Sequence, residues 1–149
     1  MQRVISLILP KHEELIRTIK LYNQIVNYHL SKALEFKTIS KKKLHLICYS
    51  MIRKKYSEFP SALIQCARDN AVEMLKGNKF SLGTKKRLNS SIRFDLRTFK
   101  MLLYSGTLNL TTIEGRKKYR IRIPEYFQKY KDWFVKGCTL GIDKKYLQL

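Results

Sequence analysis

Acidic residues are scarce in this chain: 11 Asp and Glu stand against 31 Lys and Arg over 149 residues, a formal net charge of +20. Catalytic metal pairs and acid–base dyads are built from clustered carboxylates, so the scarcity removes their usual raw material. The later strands carry only Asp95, with Glu114 and Asp143 at turns, and these do not pair. Histidine is equally sparse. His12, His29 and His45 fall on predicted helices, and His29, beside an apolar stripe, reads as a satisfied, partly buried side chain. No Gly-rich phosphate loop, H-E-x-x-H or G-x-S-x-G is present. The expectation is a chain that is not itself an enzyme, with no cofactor, no metal and no small-molecule substrate.

Cysteine is also in short supply. Cys48, Cys66 and Cys138 are odd in number, widely spaced and never in a C-x-x-C pair, which argues against a disulfide framework and a zinc site. They suit a reducing compartment. The apolar run from Val4 to Leu9 is too short for a signal-peptide core, and no other run approaches the ~20 residues that span a bilayer. A cytoplasmic protein without a membrane partner is expected.

What the chain does have is hydrophobic material, 44% of residues and 11% aromatic, enough to bury a core in about one domain or two intimate subdomains. Residues 3–9 are β-prone and apolar on both faces, which predicts a strand covered on two sides and closed by Pro10. The period then changes. Leu15, Ile19, Tyr22, Val26, Leu30 and Ala33 recur every three or four residues, predicting a helix over 11–36. Ser40 caps a second helix of about 41–57 with Leu44, Ile47, Cys48 and Met51 inward. Pro60, at a first-turn position, opens a third, with Leu63, Ala67, Asn70, Ala71 and Met74 inward and Gly77 as its stop.

After an aperiodic stretch from Asn78 to Ser90, short strands are expected near 91–97, 101–104, 107–112, 118–123, 137–142 and 145–149. Turns fall at Ser105-Gly106, Glu114-Gly115 and Asp143-Lys144, and a short helix at 125–133. The fold class is α+β. An apolar first strand needs a partner, so it should join the later strands in a small antiparallel β-barrel formed by 1–10 and 78–149. Residues 11–77 would be a three-helix bundle inserted after that strand.

The positive charge is uneven. Residues 81–122 carry eleven basic and two acidic side chains, and 38–59 carry six and one. Within the first segment two period-two strands place hydrophobes on one face and cations on the other: Ile92, Phe94 and Leu96 against Arg93 and Arg97, then Tyr119, Ile121 and Ile123 against Lys118, Arg120 and Arg122. Lys85, Lys86 and Arg87, with Arg116 and Lys117, flank them. Arginine forks grip phosphate bidentately, so this is an electrostatic footprint for nucleic acid. On the second helix, Lys42 with Arg53 and Lys43 with Lys54 are eleven residues apart and return to one azimuth ~16 Å along the axis. They form either a second phosphate-tracking ridge or an ordinary solvated face. Phe99, Tyr104 and Tyr126 either stack on bases or belong to the core.

The order of features continues through Ile92-Arg93-Phe94-Asp95, Leu108-Asn109-Leu110, Gly115-Arg116, and Lys136-Gly137-Cys138-Thr139-Leu140 leading to Lys145-Tyr146-Leu147. Over nearly the whole chain this resembles the N-terminal half of the TnpB-type proteins of insertion-sequence transposons, which are RNA-guided DNA nucleases. The resemblance implies a wedge-like barrel and a recognition-like helical insertion that together hold structured RNA, a guide–target duplex and a short flanking DNA motif. The family cuts with a later RuvC-like domain, whose first acid lies in a Gly-Ile-Asp-x-Gly strand. Here Gly141-Ile142-Asp143 is followed by Lys144-Lys145, and Asp143 reads as a turn residue. The expected function is therefore binding of nucleic acid, RNA in preference to DNA, without catalysis by this chain. Its alternatives are the N-terminal fragment of such a nuclease and a sequence-independent architectural DNA-binding protein. The sequence does not specify an oligomeric state.

Overall fold

Apolar side chains every three or four residues build the first half of the chain into three helices: α1 (Glu13–Glu35), α2 (Lys41–Lys55) and α3 (Ser61–Gly77). The computed structural model describes residues 3–78 and 83–142 and the backbone of 147–148. Ser40 caps α2 by accepting the Lys43 N–H at 3.3 Å. Pro60 stands one position earlier than expected, at the cap of α3, where its carbonyl accepts from Leu63 and Ile64. α1 ends in a Schellman motif: Thr38 N–H bonds Ala33 O, Lys37 N–H bonds Leu34 O, and Lys37 takes a left-handed φ of 50°. The stripe of α2 differs slightly from the periodic reading, with Ile52 buried and Met51 exposed.

The strands are β1 (Ile8–Leu9), β2 (Ile92–Phe94), β3 (Phe99–Leu102), β4 (Thr107–Thr112), β5 (Gly115–Arg120), β6 (Cys138–Ile142) and β7 (Leu147–Gln148), with a 3-10 helix at Glu125–Tyr130. The first strand does join the later ones, since Ile8 lies opposite Gln148 and Leu9 opposite Leu147. The strands do not close. They form one antiparallel sheet of order β1-β7-β6-β2 and another of order β3-β4-β5. A closed barrel is thus replaced by two small open sheets. The cause lies between β2 and β3, where a tight turn ends the first ladder: Thr98 N–H and Phe99 N–H both bond Asp95 O, and Asp95 N–H bonds Thr98 Oγ1. The strand expected to run to residue 97 stops at Phe94, and Leu96, expected inside, is exposed.

The N-terminal segment also departs from expectation. Leu7 and Leu9 are buried while Val4 is 94% and Ile8 60% exposed, so this segment is covered on one face only. The Asp143-Lys144 turn and residues 145, 146 and 149 lie outside the described residues.

α1 is the beam on which both sheets rest. Asn23 Nδ2 donates to Leu88 O and Ser90 O, each at 2.8 Å, and Asn27 exchanges two hydrogen bonds with the Lys86 backbone. At its other end Thr18 Oγ1 accepts the Ile113 N–H at 2.9 Å, and Tyr119 Oη donates to Glu14 at 2.8 Å. One buried hydrophobic cluster runs through helices and strands alike.

Candidate nucleic-acid interface

The three-stranded sheet sorts its residues by the two-residue period. Facing the core are Phe99, Leu108, Leu110, Thr112 and Tyr119, all buried. On the opposite face, direct neighbours across the ladders are Lys100, Asn109 and Lys118; Leu102, Thr107 and Arg120; and Thr111 with Arg116. Beyond β5 the chain keeps this alternation, with Ile121 buried, Arg122 exposed, and Ile121 N–H bonded to Gly106 O at 2.7 Å. Arg116, Lys118, Arg120 and Arg122 therefore stand in one exposed row, spaced ~6.6 Å apart and spanning ~20 Å. Among the described residues none of the four has an ion-pair partner. β5 is also an edge strand, so the row meets solvent from the side as well as the front.

Glycine fixes the geometry of this row. Gly106, between β3 and β4, has a φ of 65°, and a Cβ built on it would lie 2.3 Å from Ile121 O. Only a residue without a side chain lets the turn approach the backbone that carries Arg120 and Arg122. Gly115, with a φ of 96°, makes the tight β4–β5 turn that starts the row.

Other sequence-expected cations are engaged inside the protein. Arg93 pairs with Glu73 of α3. Arg97 binds Asp95 at 2.7 Å, Asp69 at 3.5 Å and Gln65 at 3.0 Å, which fastens the β2–β3 turn to α3. Lys117 has the opposite parity from Lys118 and reaches Glu114 and Glu14 on the α1 side. Arg53 donates to Phe59 O at 2.7 Å, closing the turn after α2. Lys86 is half-buried, donates to Asn70 Oδ1 at 3.0 Å and lies 5.1 Å from the centre of the Tyr22 ring. Burial, aided by the nearby Arg93 charge, brings its ammonium down to about 8. It acts as a structural peg. Its neighbours Lys85 and Arg87 remain exposed.

On α2, Lys42, Lys43 and Lys54 are exposed, so the ridge survives without Arg53. Phe99 is core, whereas Tyr104 and Tyr126 are 66% and 70% exposed. Sequence reasoning passed over Lys100, Thr107, Asn109 and Thr111, which extend the cationic row into a face with hydrogen-bonding groups at its centre. For Thr107, Asn109 and Thr111 the signal was the alternation within 107–112 itself, whose outward positions are small and polar.

No group of three or more His, Cys, Asp or Glu side chains among the described residues is placed to hold a metal ion, and no described helix is long and apolar enough to cross a membrane. No family model, no curated protein and no solved structure matches the chain.

Proposed function

We propose that this chain is a nucleic-acid-binding module whose contact surface is the outward face of β3–β5. The observation that carries the reading is the row of Arg116, Lys118, Arg120 and Arg122, exposed on one face and, among the described residues, left without carboxylate partners while Arg93, Arg97 and Lys117 are paired. Cations that neutralise phosphates release counterions, so such a row supplies affinity without reading bases. Asn109, Thr107 and Thr111 add neutral donors and acceptors suited to sugar hydroxyls and phosphate oxygens. Structured RNA is the preferred ligand and DNA the secondary one, in keeping with the resemblance to the RNA-holding half of TnpB-type proteins. Binding, not cleavage, is the activity assigned to this chain.

The test is the salt dependence of binding to a structured RNA and to a DNA duplex. Replacing Arg116, Arg120 and Arg122 by Ser removes about 0.7–0.9 of log–log slope per lost phosphate contact, so the slope should fall by roughly 2–3. Each change should cost no more than about 0.5 kcal/mol of stability, because the side chains are exposed. The matched triple Lys42, Lys43 and Lys54 to Ser on α2 should reduce the slope by less than half as much. Equal losses from both triples would assign binding to bulk charge and sink the defined face. DNA bound as tightly as RNA would remove the RNA preference.

A further inference from the structure

Tyr104 and Tyr126 belong neither to the core nor to the cationic row. Of the described tyrosines these two alone are exposed, at 66% and 70%. The others are buried at least in part, and Tyr56 and Tyr119 donate their hydroxyls to Gln24 and Glu14. A lone exposed aromatic is ordinary, but these two share one end of one sheet. The bond from Ile121 N–H to Gly106 O ties the β3–β4 turn to the chain leaving β5. Tyr104 stands just before that turn glycine, and Tyr126 follows Arg122 by a single short connection through Pro124. At ~3.8 Å per residue and ~5.5 Å across the bonded pair, the Cα atoms of Tyr104 and Tyr126 lie no farther than ~17 Å and ~15 Å from that of Arg122.

The two ends of the row differ in kind. At the Arg116 end the β4–β5 turn offers Ile113 and the carboxylate of Glu114, and no aromatic residue occurs from Thr111 to Lys118. At the Arg122 end Tyr126 is set in place by its neighbours. Lys129 Nζ lies 4.2 Å from the centre of its ring and 5.2 Å from that of Tyr130, and Phe127 meets the Tyr126 ring edge-on, with centres 5.3 Å apart and planes at 73°. One face of the ring thus carries an ammonium, which leaves the other for a flat partner.

We infer, resting on the nucleic-acid reading above, that Tyr104 and Tyr126 stack on unpaired bases, so that the ligand carries a single-stranded stretch at the Arg122 end of the row. The row holds phosphates, which a duplex and a single strand both present. The tyrosines take base faces, which a continuous duplex keeps hidden in its own stack. Stacking tolerates any sequence because every base has a π-face, so the site discriminates unpaired from paired nucleic acid and not one base from another. Lys129, already over Tyr126, meets the phosphate beside a stacked base.

The probe is a dye-labelled RNA hairpin whose open end forks into two unpaired tails of about six nucleotides each, titrated into the full chain and followed by fluorescence anisotropy. It should bind about tenfold more tightly than the same hairpin without tails. Tails of abasic sugar-phosphate keep the charge and should lose that gain; this comparison leaves the protein unaltered and does not depend on how any variant folds. Tyr104→Ala and Tyr126→Ala should each weaken the tailed hairpin by about fivefold or more and leave the tailless one unchanged, whereas Tyr104→Phe and Tyr126→Phe should keep the affinity. The salt slope should fall in the triple Arg116, Arg120 and Arg122 to Ser and stay put in the tyrosine variants. Intact and abasic tails bound alike, or alanine variants without effect, overturn the stacking and leave the row standing. An arginine triple that leaves the slope unmoved sinks the row instead, and the tail comparison still decides the stacking. Failure of both hairpins to bind overturns both.

Discussion

His29 shows what burial does to a titratable residue that no site employs. The imidazole is 1% exposed, Nδ1–H donates to Ile25 O at 2.9 Å, and burial holds its pKa down to about 4 against an ordinary value near 6.5. Between those two values the unfolded chain takes up a proton that the folded one refuses, so stability falls as pH drops from 6.5 toward 4. The loss attributable to this side chain should be on the order of 3 kcal/mol by pH 4. Urea denaturation of the wild type and of His29→Gln at pH 7 and pH 4 checks it, and an undiminished acid sensitivity in the variant would refute the assignment. The apolar stripe around His29 made this role legible. Lys86 was not legible in the same way: nothing in Lys85-Lys86-Arg87 distinguishes the middle cation, because its partners Tyr22 and Asn70 are distant in the chain.

Among the elements, the β4–β5 hairpin was the easiest to read and β2 the hardest. Alternation over 107–112 defines the first strand locally and the register confirms it, whereas the turn falls at Ile113-Glu114, one residue before the expected Glu114-Gly115, and β5 runs over 115–120 instead of the expected 118–123. β2 was expected to run on through Leu96, yet Asp95 and Thr98 form a turn whose hydrogen bonds outweigh two more strand residues. Asp at the first position and Thr three residues later was the available signal. The same logic applies to Gly106. A side chain there meets both a left-handed φ, worth roughly 1–2 kcal/mol for an L residue, and a collision with Ile121 O. Gly106→Ala should therefore lower the melting temperature and weaken nucleic-acid binding together, by displacing Arg120 and Arg122. A variant with wild-type melting would show that the turn can move aside freely.

For the whole molecule, α+β order and the helical excursion between first and second strands were legible, whereas the barrel was not. The barrel followed from requiring every apolar strand to find a partner. Two open sheets meet that requirement by resting on α1, a solution set by contacts across the chain that no local pattern announces. Because one buried cluster joins helices and strands, unfolding should be a single cooperative event. Far-ultraviolet circular dichroism, dominated by α1–α3, and Trp133 fluorescence should give coincident denaturation curves. Two separated midpoints would show the helices and sheets to be independent units.

The pairing of Ile8 with Gln148 has a consequence for how the protein is made. A ribosome delivers the chain at about 5–20 residues per second, so the first strand emerges on the order of 10 s before the strand that completes its ladder. The helices need only local contacts and can form meanwhile. Throughout that interval the apolar segment ending at Leu9 has no β-partner, and its ladder closes only after β7 has emerged. Nascent chains of this protein are thus most exposed to holding factors and to mispairing at this first strand, and any factor bound there must leave before the β1–β7 ladder forms.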